Sequence, residues 1–265
     1  MRGALSWGAP AALLAAMVLS SALAPWLAPY NPLTTDPPHQ FAVPGGEHLL
    51  GTDFLGRDVL SRALWGGRAS LAGAALATAL SVGLGLCIGG AAGMLSDAVD
   101  WALMRAVDVS LAFPGLLLAI ALVAMLGVGR WQVALAVGLS LAPAYSRLSR
   151  AAVLTVREHF YIEAAQALGA SRWWMFIHHV LPNIAGQAVT FGIVHYAWAL
   201  LNIAALDFLG LGGSPSSPTW GTMLAEGREY LRVAPWVAVA PGAMLTLTVV
   251  SMIALGDAWQ RTRSR

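Results

Sequence analysis

Residues 163–183 read EAAQALGASRWWMFIHHVLPN, and their reading decides how the chain is organised. Glu163-Ala164-Ala165-Gln166-Ala167-Leu168 is a run of strong helix formers. Gly169 suits the C′ position, where a left-handed residue closes a helix. Ser171 is a fair N-cap for a second helix. That helix carries Trp173, Trp174, Phe176 and Ile177 and is expected to stop before Pro182. The pattern is a helix-turn-helix, and it lies between two runs apolar enough to cross a bilayer. A short turn would suffice to join them; residues 149–186 are instead given over to a folded loop. The alanines of its first helix make a smooth face that another protein can approach closely. The aromatics of its second helix can anchor it at the membrane surface. The loop therefore reads as a rigid knob offered to a partner.

Composition places the rest of the chain in a membrane. Of 265 residues, 58% are hydrophobic and only 11% charged, against about 25% charged in soluble domains; the mean hydropathy is +0.68. All fifteen basic residues are arginine. A Walker A phosphate loop needs a lysine, so if ATP drives this protein another chain hydrolyses it. A net charge of +2 is too small to point to nucleic acid. The single Cys87 excludes an intrachain disulfide and the paired-cysteine metal and redox patterns.

A spanning helix needs about 20 apolar residues, and helices alone satisfy the backbone in lipid when no strand pattern is present. Six spans are expected, near 9–29, 70–95, 109–128, 131–148, 187–209 and 234–256, in one transmembrane domain covering 1–265. The first resembles a signal peptide, with small residues at Ser21–Ala24, but Pro25 follows directly and the apolar run continues, so it is read as an uncleaved helix. With six spans both termini share a side. That side holds Arg2, Arg105, Arg147, Arg150, Arg157, Arg172, Arg261, Arg263 and Arg265, nine arginines against six opposite. The bias places both termini and the 149–186 loop in the cytoplasm.

Glu163-Ala164-Ala165, Gly169 and Leu181-Pro182 resemble the EAA loop of ATP-binding-cassette (ABC) importer permeases. The stretch His48–Arg62, HLLGTDFLGRDVLSR, resembles the HxLGTDxxGRDxxSR segment of the dipeptide, oligopeptide and nickel permeases, the C-type member of a two-permease pair. Phe208-Leu209-Gly210-Leu211-Gly212 with Trp220-Gly221, and Met104-Arg105, Asp108 and Phe113-Pro114, are similar to the same group. Asp207 departs from it, standing where a small polar residue is usual. The resemblance implies an all-α, type I (MetI-like) permease fold in the bacterial plasma (inner) membrane, a multi-pass protein that does no covalent chemistry. It implies a second permease subunit, two ATP-binding subunits and an extracytoplasmic substrate-binding protein as partners. Residues Glu163, Ala164, Ala165, Gly169, Ala170, Ser171 and Arg172 would then form the coupling element that docks on the ATPase. Peptides are the first expectation for cargo; nickel or a metal–chelate is the alternative. An ATP-independent channel or secondary transporter is the rival class, and it leaves the folded loop unexplained.

Other residues carry expectations of their own. In 52–64, Thr52 or Asp53 can cap an interfacial helix, with Asp53/Arg57 and Asp58/Arg62 as i,i+4 pairs. Gly73, Ala77, Ser81, Gly85, Gly89 and Gly93 recur every four residues as a small-residue stripe, facing either this subunit's own bundle or a partner permease. Pro114, Pro143 and Pro241 are expected to interrupt helices. Pro114, His195 and Asn202 are candidates for the translocation path; for the two polar residues an interhelical hydrogen bond is the alternative. Asp207 is expected at the headgroups, and Glu226 and Glu229 on a solvated outer face. His178 and His179 point about 100° apart on a helix and do not suit one metal; no metal, cofactor or catalytic group is expected. Gly210–Gly213 lacks the strand that a phosphate-cradling turn requires.

Overall fold

Nearly charge-free runs leave the backbone to satisfy itself, and the chain does so with helices. A computed structural model describes residues 5–212 and 217–263; Arg2, Gly213 and Arg265, which entered the sequence reading, lie outside them. The helices run in the order α1 (Leu5–Ala22), α2 (Ala24–Leu27), α3 (Val59–Met94), α4 (Asp97–Leu111), α5 (Gly115–Leu126), α6 (Arg130–Arg157), α7 (Phe160–Ala167), α8 (Arg172–Met175), α9 (Leu181–Phe208), α10 (Trp220–Gly227) and α11 (Trp236–Arg263). Val59–Met94, Arg172–Phe208 and Trp236–Arg261 are long and apolar enough to cross a membrane, and α4 with α5 forms a bent fourth candidate.

Three sequence expectations are corrected here. No separate interfacial helix occupies 54–64. Residues 52–58 form a turn closed by an isolated bridge between Thr52 and Asp58. Asp58, not Thr52 or Asp53, caps α3 by accepting from the Ser61 N–H at 2.7 Å. The apolar residues after Val59 then become the first turns of a 36-residue helix, about 54 Å long at 1.5 Å per residue. Second, the third span is broken: α4 and α5 meet at 93°, with Pro114 as the N-cap of α5. Pro143 and Pro241, by contrast, sit inside unbroken helices. Third, the helix over the run expected to span at 131–148 continues to Arg157, so the loop proper begins at Glu158; this helix is not among those apolar enough over their length to count as crossing candidates.

The small-residue stripe belongs to the chain's own bundle. All six of its residues are buried. A Cβ on Gly85 would fall 2.7 Å from the Tyr145 ring, and one on Gly93 2.6 Å from Val153; one on Gly89 would collide with the Ser146 carbonyl and the Ser149 hydroxyl. From the facing helix, a Cβ on Gly138 would fall 2.9 Å from the Ala77 carbonyl. The Ser149 hydroxyl donates across the seam to the Gly85 carbonyl at 2.5 Å. Such backbone approach is the means by which apolar helices associate without a solvent-driven force.

Gly89→Leu is expected to separate α3 from α6, since overpacking a close-packed interior costs about 1–3 kcal/mol or more. Gly83, whose Cβ position meets nothing within 4 Å, is the matched control. Size-exclusion of detergent-extracted protein should show Gly89→Leu aggregated or absent and Gly83→Leu monodisperse.

Candidate coupling loop and its anchorage

Helix α7 ends in a complete Schellman closure. The Ala170 N–H donates to the Ala165 carbonyl at 3.1 Å and the Gly169 N–H to the Gln166 carbonyl at 3.0 Å. Gly169 holds φ +85° with open space around it, so the conformation, not crowding, requires glycine there. Ser171 then caps α8, its hydroxyl accepting from the Trp174 N–H at 3.2 Å. Both caps stand where the residue chemistry placed them.

Continuity beyond α8 differs from expectation. The second helix does not stop before Pro182. It widens into a π-helical turn over Phe176–Val180 and runs on as α9, giving one 37-residue helix from Arg172 to Phe208. A π-turn accommodates a residue that lacks an N–H and crowds the preceding turn. Side chains serve the carbonyls nearby: the Asn183 amide donates to the His179 carbonyl at 2.6 Å, and His178 Nδ1 lies 3.0 Å from the Trp174 carbonyl. The two histidines also pack on Trp174, with ring centroids at 4.8 and 5.1 Å.

One face of the loop is fastened and the other is bare. Ile162, Met175, Val180 and Ile184 are buried with Met94, Val153 and Val156. Two arginines cover the C-terminal end of α3: Arg172 Nη1 donates to the Met94 carbonyl at 3.1 Å, and Arg157 Nη1 to the Gly93 carbonyl at 3.0 Å. Cations there also complement the negative end of the helix dipole. Helix α4 is clamped to α6 by a bidentate contact between Asp100 and Arg150, with Nε to Oδ1 at 2.5 Å. Opposite the fastened face, Glu163, Ala164 and Ala167 are exposed, flanked by Phe160 at 87% and Leu168 at 89% exposure.

The three path candidates are not brought together. Pro114 is exposed at the α4–α5 break. His195 is buried, edge-on to Tyr145 at 4.9 Å, with Nδ1 3.1 Å from the Phe191 carbonyl. Asn202 donates to the Trp198 carbonyl of its own helix at 2.8 Å. Asp207 is not at an exposed membrane surface; it is 3% exposed, with its carboxyl against Gly212.

At the opposite end lies a charge cluster that sequence reasoning saw only in part. Asp53 accepts from Arg57 Nε at 2.7 Å and also pairs with Arg62. Both arginines reach Glu226, at 3.1 and 2.8 Å. The Asp53/Arg57 pair thus forms, though in a turn; Asp58 pairs with His48 at 3.0 Å, not with Arg62. Glu226 is therefore no solvated residue, while Glu229 stays exposed. Nearby His39 has its pKa raised by the hydrogen bond with Asp36. The cluster ties the turn at 52–58 to α10, and Trp236 Nε1 adds a bond to the Thr52 carbonyl at 3.0 Å.

The model of the family described as "Binding-protein-dependent transport system inner membrane component" matches residues 85–264, a range that holds the whole loop. The chain belongs to this family. It is a multi-pass inner-membrane permease component of an ABC importer, with ATP hydrolysis on separate subunits. It is 40% identical to the glutathione transport system permease protein GsiD of Pectobacterium atrosepticum, over 81% of this chain and 71% of that one. It is 38% identical to the di/tripeptide transport system permease protein DppC of Pseudomonas aeruginosa, over 91% and 82%. Identity to the probable D,D-dipeptide transport system permease protein DdpC of Escherichia coli is 35%, over 93% and 83%.

Removing Asp53 from this permease leaves two buried arginines short of a counter-charge, a change that costs about 3–5 kcal/mol in buried pairs. Glu226 is more exposed and shares the load. Thermal denaturation should therefore rank Asp53→Ala well below Glu226→Ala in stability, with Glu229→Ala unchanged.

Proposed function

We propose that this chain is one of two permease subunits of an importer for short peptides, a single domain of six spans with both termini in the cytoplasm. The spans are α1, α3, the α4–α5 pair, α6, α9 and α11. Glutathione, di/tripeptides and D,D-dipeptides are the cargoes in the names of the relatives above, and they support peptide over nickel or a chelate. The partners are a second permease, two ATP-binding subunits and an extracytoplasmic binding protein.

One observation carries the mechanism: the face of α7 bearing Glu163, Ala164 and Ala167 is bare, while Ile162 on its other face belongs to a buried cluster that also takes in residues of α3, α6 and α9. Glu163, Ala164, Ala165, Gly169, Ala170, Ser171 and Arg172 form the ATPase-coupling element. Closure of the ATPase dimer moves this knob. Because Arg172–Phe208 is one helix, the motion enters the fifth span directly, and the bundle opens outward to receive peptide from the binding protein. We assign Pro114 and Asn202 to the path; the burial of His195 against Tyr145 fits packing better.

Glu163→Arg reverses a charge that has no ion-pair partner among the described residues. Gly169→Pro replaces a φ of +85° with one fixed near −65°. Both variants should insert normally yet bind the ATPases at least about tenfold more weakly, a loss of ~1.4 kcal/mol. Wild-type co-purification of both would contradict the assignment. Proteoliposomes holding the full complex should take up a dipeptide and not nickel; the reverse would replace the cargo and leave the coupling role standing.

A further inference from the structure

Between the end of α2 and the start of α3 lies a cavity of about 880 Å³, whose wall includes Tyr30, Asn31, Trp65, Arg68, Arg130 and Pro218. Its two arginines stand outside any ion pair: among the described residues none reaches Arg68 or Arg130, and both are exposed. Each guanidinium lies over a tryptophan instead, Arg68 at 5.1 Å from Trp65 and Arg130 at 5.4 Å from Trp131. Arg130 acts electrostatically on the buried Asp207 without forming an ion pair with it. Arg130 is also the first residue of α6, whose Gly129 N-cap offers no side-chain acceptor, so free N–H groups add positive potential at the same edge.

The depth and rim of the cavity select among anions. Its wall runs from Pro25 at the second residue of α2 to Ala72, thirteen residues into α3. Around it Trp26 is 78%, Leu27 52%, Leu33 44% and Trp131 53% exposed. Exposed tryptophan and leucine beside arginine suit the headgroup layer and would be poorly placed around a site for a free, water-borne anion. We infer that this cavity holds the phosphodiester of a membrane phospholipid, with the phosphate between Arg68 and Arg130 and the acyl chains lying along α3 beyond Ala72. Only the choice of leaflet rests on the orientation proposed above; the site itself does not.

Native mass spectrometry of the delipidated complex, titrated with phosphatidylglycerol, tests this. The wild type should retain lipid, and Arg68→Gln/Arg130→Gln should lose at least about tenfold in apparent affinity, with Arg232→Gln as wild type. Should the double variant fail to assemble, Arg68→Gln alone should still weaken binding severalfold. Undiminished lipid retention in these variants would overturn the proposal. So would equal retention of diacylglycerol, which lacks the phosphate. Displacement by inorganic phosphate would assign the cavity to a free anion, and displacement by a dipeptide would assign it to cargo; either result overturns the lipid assignment.

Discussion

The backbones of α3 and α6 touch, and the rest of the bundle depends on it. Lipid supplies little force to push apolar helices together, so association comes from packing at close range. The glycines at 85, 89 and 93 remove every side chain that would hold the two helices apart, and Ser149 donates across the gap. This contact delivers the C-terminal end of α3 to Arg157 and Arg172. Without it the loop would have no floor.

In the proposed coupling role, that floor is what lets a surface loop transmit motion. The loop is joined to α6 through the turn at 158–159, bonded to α3 through Arg172, and continuous with α9 through the π-turn. A push on α7 passes through the short turn at 168–171, closed by the Gly169 and Ala170 N–H bonds, before it reaches α8 and α9. The π-turn is the weak point of this path, because a widened turn has fewer well-aligned bonds; the aromatic stack of Trp174 with His178 and His179 braces it. At the other end of α3, the Asp53–Arg57–Arg62–Glu226 cluster fixes the turn at 52–58 to α10. Both ends of α3 are thereby held by charged groups, while its middle is held by the absence of side chains.

Much of this was legible in the sequence wherever the cause is local. Gly169 and Ser171 announce their caps because capping is decided by one residue and its neighbours. The small-residue stripe announces a close helix contact, although the sequence could not say whose helix it meets. What failed to show was continuity and long-range pairing. Pro182 reads as a stop, but a π-turn lets the helix pass. Asp58 and Arg62 read as an i,i+4 pair, but Asp58 is used as a cap and Arg62 reaches residues far along the chain. Glu226 lies 169 residues from Arg57, and no periodicity links them. Pro114, Pro143 and Pro241 look alike in sequence; only at Pro114, next to the turn at 112–113, does the chain change direction.

The central claim is that the loop and α9 move as one body. Spin labels at Gln166 on α7 and Val189 on α9, both exposed positions, in a Cys87→Ser background of the assembled complex, measure it directly. Pulsed dipolar spectroscopy with and without ATP should give one narrow distance that stays fixed, while distances from Gln166 to the ATPase change. A distance between the two labels that broadens or shifts on ATP binding would mean the π-turn bends, and the account would be wrong.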